Sequence, residues 1–261
     1  MRHREILASR IAFRRLGLID VRSDLLHFAL ITYALPAERL RPYIPSDFDI
    51  PTFLINGQQM ALMSAVPFLD ADFRFPCIAP FIGWSFGQTN YRVYIVDKAT
   101  GEHCVWFFGT SLGSWVVHIA KTLWGIPWHH AQYSVKCNYN SERLRYDHFQ
   151  YSIKSEWATA EIDLIDTGNP MQLNGAFRSL DEQILILTHP IAGYFKHQDG
   201  NTATYSVWHD EIPFTIGMSK NLYFSLYEKL GLLTRAEMQS PHLVLICPKV
   251  TFDVHLPPQK T

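Results

Sequence analysis

The pattern of apolar and polar positions along the chain predicts strands far more often than helices. Residues 25–35 form a long apolar, β-compatible run, and residues 59–67 alternate well enough for a second strand. Between them Pro36 is placed to start a short helix over Ala37-Glu38-Arg39-Leu40-Arg41, which Pro42 and Pro45 stop. Residues 70–87, rich in Pro, Gly, Phe and Asp, read as a long loop whose aromatics favour packing over something. Strands at 86–96 and 102–108 are joined by Asp97-Lys98-Ala99-Thr100-Gly101, a hairpin with glycine in its turn. Ser111 to Trp124 has helical spacing, with Leu112, Trp115, Val116, Ile119 and Leu123 on one face and Gly125-Ile126-Pro127 ending it. Strands follow at about 130–138, 143–154 and 156–165, then 202–209, 243–248 and 250–256. Ser179, with Glu182 three residues on, caps a second helix, and 222–233 reads as a third.

About nine strands with a few interposed helices make a one-domain, strand-dominated α+β architecture, in which a curved or closed barrel hides the edges. A length of 261 residues with 48% hydrophobic and 14% aromatic content suits one large packed domain. A net charge of -1 argues against nucleic acid, which needs a basic excess on one face. Arg2, Arg4, Arg10, Arg14 and Arg15 form the one basic cluster, expected to be a solvated flank over 1–23 ahead of a single domain at 24–258. No targeting segment is expected, since Arg10 interrupts the first apolar run, and no stretch is long enough to span a bilayer. Cys77, Cys104, Cys137 and Cys247 form no CxxC pair, so reduced thiols in a cytoplasmic protein are expected.

The strongest local signal is the strand Gln88–Ile95. Alternation puts Gln88, Asn90, Arg92 and Tyr94 on one face and Tyr91, Val93 and Ile95 on the other. Such a polar face points either to solvent or into a polar cavity. Nucleophile-elbow, phosphate-loop and dinucleotide spacings are absent, as is HExxH, so neither a metal nor a cofactor is expected.

Four segments carry a family resemblance. Arg39–Pro45, Ala61–Phe68, the strand Gln88-Thr89-Asn90-Tyr91-Arg92-Val93-Tyr94-Ile95 and Tyr205-Ser206-Val207-Trp208-His209 resemble, in order and spacing, the motifs of the DUF2071 family. The likeness runs from about residue 24 to residue 258. That family sits in the acetoacetate decarboxylase-like superfamily, so the resemblance implies a cone-shaped antiparallel β-barrel around a cavity, with a few peripheral helices. The superfamily's decarboxylase uses a lysine Schiff base. Its paired lysines follow a step matched here by Gly125-Ile126-Pro127, but the next residues are Trp128 and His129, which form no imine. The acidic residue is replaced by Gln88, and Lys121 matches a non-nucleophilic basic position.

The resemblance therefore implies an inward polar row with Arg92 as anion anchor and Gln88, Asn90 and Tyr94 beside it. Trp84, Phe86, Trp106, Phe108 and Trp128 are candidate walls, though each also suits plain core packing. His209 and one of His129 and His130 are the remaining proton-transfer candidates, with a structural histidine the competing reading. The expected function is binding of a small carboxylate or oxo acid, with or without a lyase-type step independent of a Schiff base. The alternative is a non-catalytic binding or sensing barrel, and a filled barrel is the third reading. Uncovered edges would allow a homo-oligomer.

Overall fold

The computed structural model describes residues 2–12, 15–115, 122, 125–190 and 192–260. The chain runs α1 (Arg2–Ile11), β1 (Val21–Leu35), α2 (Ala37–Leu40) with a 3-10 turn at Arg41–Tyr43, β2 (Phe48–Asp49), β3 (Thr52–Ile55) and β4 (Gln58–Arg74). Next come β5 (Trp84–Asp97), β6 (His103–Leu112), β7 (Trp128–His130), β8 (Gln132–Asn140), β9 (Arg145–Lys154) and β10 (Ala160–Pro170). The last third holds α3 (Leu180–Leu187), β11 (Gly193–Lys196), β12 (Thr202–His209), β13 (Thr215–Phe224), α4 (Ser225–Lys229), α5 (Arg235–Met238) and β14 (Leu243–Lys260).

Seven strands close on themselves: β1–β4–β5–β6–β11–β12–β14 and back to β1. Every link is antiparallel except β6–β11. The long β14 makes this possible by changing partners. Its residues 245–246 pair with β13, its residues 252–260 pair with β12, and β1 lies along its other edge. From β13 the sheet continues through β10, β9 and β8, and this extension lies against the outside of the ring.

Two cores follow from strand alternation. Ile31, Tyr33, Met63, Tyr91 and Val93 face outward and pack with Phe149, Tyr151, Ile162 and Phe224 of the extension. Leu30, Leu62, Val66, Phe68, Val105 and Phe107 face inward and pack with Ile186 and Leu187 of α3. Glycine governs where the two layers meet. A side chain at Gly87 would come within 2.3 Å of the Tyr133 ring on β8, so only glycine lets the extension seat there. The Tyr133 hydroxyl then lies 3.0 Å from both Thr89 Oγ1 and the Ser111 carbonyl.

Several sequence expectations hold. Pro36 precedes α2, Gly101 adopts positive φ in its hairpin, and Ser179 Oγ accepts the Glu182 amide at the start of α3. Others are corrected. The 70–87 loop is only 75–83, because β4 extends to Arg74 and β5 begins at Trp84. Leu222–Phe224 is strand rather than helix: Leu222 and Phe224 pair with Ile162 and Ala160 of β10, leaving α4 only Ser225–Lys229. Ser111 and Leu112 end β6 instead of starting a helix, and most of the expected helix from Val116, with Lys121, lies outside the described residues.

The N-terminal flank is also not wholly solvated. Leu7 of α1 packs with Ile184 and Leu185 of α3, and Trp208 Nε1 donates to the Ile11 and Ala12 carbonyls at the end of α1. Arg10 pairs with Glu102 at 2.8 Å and donates to the His189 carbonyl. Burial holds its guanidinium below its usual range, against the opposing pull of Glu102. Amphipathic α1 docks because its apolar stripe has a partner, which the arginine count alone conceals.

The Gly87 contact makes a direct prediction. Gly87→Ala should cost about 1–3 kcal/mol by overpacking and lower the thermal midpoint by about 3–10 °C. Adding Tyr133→Ala should recover part of that loss, because the clash goes with the ring. Purely additive losses in differential scanning fluorimetry would show that the two do not meet.

Candidate functional site

The ring encloses a cavity of about 200 Å³, walled mainly by apolar side chains from β1, β4, β5, β6, β7, β12 and β14. Gln88, Asn90 and Arg92 line it, as the alternation of β5 requires. Gln88 Nε2 donates to Asn90 Oδ1 at 3.0 Å, and Thr110 Oγ1 donates to the same oxygen at 2.8 Å. This short network fixes both amides against the wall.

Arg92 sits further along the row. One guanidinium nitrogen donates to the Leu187 carbonyl at 2.9 Å, at the C-terminal end of α3. The last carbonyls of a helix lack intrahelical partners and carry about half a negative charge, so this contact is a favourable cap. It does not neutralise a full cation. Nε has no partner, and no carboxylate pairs with Arg92 among the described residues.

The remaining predicted positions divide. Trp128 and Trp84 line the cavity. Tyr94 faces inward but is buried beneath the wall, 2.7 Å from Ser64 Oγ and 3.3 Å from the Leu187 carbonyl, and it shapes the floor without lining it. Trp106 and Phe108 point away, into the layer between ring and extension, where Trp106 meets Phe48 and Phe108 meets Tyr43. A bulge opposite Tyr91 and Arg92 shifts the register of β6 at Gly109, so Phe107 takes the inward place. Phe86 packs with Leu112 in a small cluster and does not line the cavity.

The histidines are likewise separated. His129 faces outward and stacks on Trp157, with ring centroids 4.0 Å apart. Its neighbour Trp128 takes the inward face, as adjacent strand residues must. His209 does line the cavity, but Nδ1 lies 2.7 Å from the Asp210 carbonyl and Nε2 lies 2.8 Å from the Thr188 carbonyl. Phe252 stacks on one face and His189 leans on the ring at 4.2 Å. Burial lowers the imidazole pKa, the two carbonyls oppose this, and Arg92 adds to the lowering. Both nitrogens are occupied by backbone, so this arrangement offers neither to a bound molecule.

The residues missed by sequence reasoning are Ser23, Asp70 and Tyr205. Asp70 continues the inward series Leu62, Ser64, Val66, Phe68 along β4, and ending that strand at Pro67 hid it. It is 3% exposed, and burial pushes its carboxyl up to about 7, against a hydrogen bond from Ser23 Oγ to Oδ1 at 2.8 Å. Tyr205 stacks on Phe107, ring centroids 5.7 Å apart. Burial raises its phenol pKa and Arg92 opposes the rise. No group of three or more metal-ligating side chains occurs among the described residues, and no described helix is long and apolar enough to cross a membrane.

The profile of DUF2071, an uncharacterized conserved protein family, matches residues 22–251. The chain belongs to this family. Comparison with curated proteins finds no match. Among solved structures, the enduracididine biosynthesis enzyme MppR complexed with pyruvate has a TM-score of 0.60 at 9% identity, covering 95% of this chain and 93% of that one. An acetoacetate decarboxylase-like enzyme from Sphingomonas wittichii RW1 has a TM-score of 0.54 at 9% identity, covering 94% of each chain. The acetoacetate decarboxylase of Legionella pneumophila subsp. pneumophila str. Philadelphia 1 has a TM-score of 0.52 at 13% identity, covering 98% and 94%. This DUF2071 chain thus has the strand-dominated acetoacetate decarboxylase-like fold. At these identities the likeness is one of fold alone.

Asp70 gives the site a measurable signature. Its folded pKa lies above the ordinary value of 3.8, so the native state binds this proton more tightly than the unfolded chain does. Its contribution to stability therefore falls as pH rises from about 4 to about 7. Asp70→Asn should raise the melting temperature over wild type by about 5 °C or more at pH 8 and leave it unchanged at pH 4. Equal shifts at both pH values would show that Asp70 ionises normally.

Proposed function

We propose that the protein binds a small, partly apolar carboxylate or oxo acid in the ring cavity, with Arg92 as the anion anchor. The observation that carries this is a guanidinium on the wall of an apolar cavity that meets a backbone carbonyl and the face of the Tyr94 ring but, among the described residues, no carboxylate. A charge in that setting is costly unless an anion meets it, and a carboxylate suits the planar fork. Gln88 and Asn90 orient the bound acid, while Trp128, Phe107 and Tyr205 hold its apolar part. The MppR complex with pyruvate is consistent with oxo-acid binding on this fold.

Any turnover proceeds without an imine in this reading. Among the described residues no lysine lines the cavity, and Lys121 lies outside them. The engagement of both His209 nitrogens favours a second reading, a binding or sensing barrel without chemistry. With four free cysteines, we take the protein to work in the cytoplasm.

A thermal-shift screen of oxo acids and short apolar carboxylates, on wild type and Arg92→Met together, tests the anchor. A ligand at about 100 times its dissociation constant adds roughly 2.7 kcal/mol, which moves the midpoint by about 5–10 °C. The shift should vanish in the folded Arg92→Met protein. If an acid stabilises both proteins equally, Arg92 is not the anchor. Borohydride treatment with the bound oxo acid, read by intact mass, should leave the chain unmodified. A stable adduct would establish a Schiff base and overturn the imine-free reading.

A further inference from the structure

The cavity contains a second polar feature that the anchor reading leaves unused. Asp70 and Ser23 face each other across β4 and β1, and both line the cavity. Arg92 sits opposite Ser64 in the β4–β5 register, whereas Asp70 sits opposite Phe86. Six residues therefore separate the two positions along β4, about 20 Å at a strand's rise of roughly 3.3 Å per residue. Even after the reach of both side chains is subtracted, a three-carbon acid held by Arg92 does not extend to Asp70. The inward side chains of β4 between them are Val66 and Phe68, and Phe28 stacks on Phe68 from β1.

The hydrogen bonding of Asp70 indicates what it takes. Its Oδ1 accepts from Ser23, while Oδ2 is buried and without a partner. In the neutral acid the proton then belongs on Oδ2, where it is a donor with nothing to receive it. Such a buried, unmade hydrogen bond is costly. We propose that Ser23 and Asp70 form a distal polar subsite, which takes an acceptor oxygen carried at the far end of an elongated, apolar-bodied acid. This rests on the Arg92 reading for the near end of the ligand and adds the far end.

The surroundings favour the neutral form of Asp70 at mildly acidic pH. Nearby cations on the flanking strands are already used: Arg22 by Asp253, Arg74 by Asp72 and Lys249 by Asp24. From the outer layer, the phenols of Tyr133 and Tyr151 on β8 and β9 interact with Asp70, and burial keeps both protonated. Arg92 and His209 line the same cavity, with His209 held by backbone. Burial itself holds the Asp70 proton up to about pH 7.

The test uses nonanoate and its 4-, 6- and 8-oxo derivatives, titrated calorimetrically at pH 6 and pH 8.5. At pH 6 one oxo isomer should bind wild type up to about tenfold tighter than nonanoate, the worth of one well-made hydrogen bond. That advantage should shrink at pH 8.5, where Asp70 is ionised. Asp70→Asn retains a donor and should keep the advantage at both pH values. Asp70→Leu should lose it while binding nonanoate as before, and Ser23→Ala should weaken it. If nonanoate binds through Arg92 but no oxo isomer is preferred, or if Asp70→Leu keeps the preference, the subsite is wrong and the anchor stands. If no acid binds, the anchor is wrong, and neutral 2-nonanone decides the subsite. Stabilisation of wild type and Asp70→Asn but not Asp70→Leu would sustain it, and no response to the ketone would overturn it.

Discussion

The pairing of β1 with β14 is the constraint on which the rest of the structure depends. Eleven residue pairs join these two strands. Without them the seven-stranded ring is an open sheet. Because β14 serves β13 along one stretch and β12 along another, one strand commits both layers. Closure also removes edges that would otherwise pair with other chains. The cavity is a result of that closure, since the inward side chains of seven strands do not fill the space they enclose.

What lies in the cavity is governed by desolvation. Arg92, Asp70 and His209 all lie among mainly apolar side chains, and each meets the scarcity of polar partners differently. His209 turns both nitrogens onto carbonyls and becomes part of the wall. Burial lets Asp70 hold its proton up to about pH 7. Arg92 finds no carboxylate among the described residues and leans on the end of a helix and the face of Tyr94. Three ionisable groups in one cavity thus hold three distinct states, set by local partners rather than by residue type.

Much of the ring was legible in the sequence because alternation is local. The inward placement of Gln88, Asn90 and Arg92 follows from period two once one face of β5 is known to be enclosed. Trp106 and Phe108 were misplaced because a single bulge at Gly109 exchanges the faces of β6, and no alternation rule sees an extra residue. Asp70 escaped because the strand expected from alternation ends at Pro67 and residues 70–87 read as a loop, whereas β4 carries the inward series on through Phe68 and Asp70. His209 was found, but the carbonyls that face its two nitrogens belong to its neighbour Asp210 and to Thr188, which comes from beyond the end of α3. Partners distant in sequence decide what a histidine does, and periodicity carries no information about them.

The seat of α1 has a practical consequence. Its Arg10 holds the carbonyl of His189, two residues beyond the Leu187 carbonyl that steadies Arg92. The first turns of the chain are therefore a buttress for the cavity's cationic end, though none of their described side chains lines it. A purification handle fused directly ahead of this helix, or a shortened version beginning at β1, would disturb the segment next to the helix end that Arg92 caps. A handle at the other terminus follows the strand that closes the ring, where β12 already holds the last paired residues in place. Recombinant work on this protein is better served by leaving α1 intact and separating any leading handle from it with a flexible spacer.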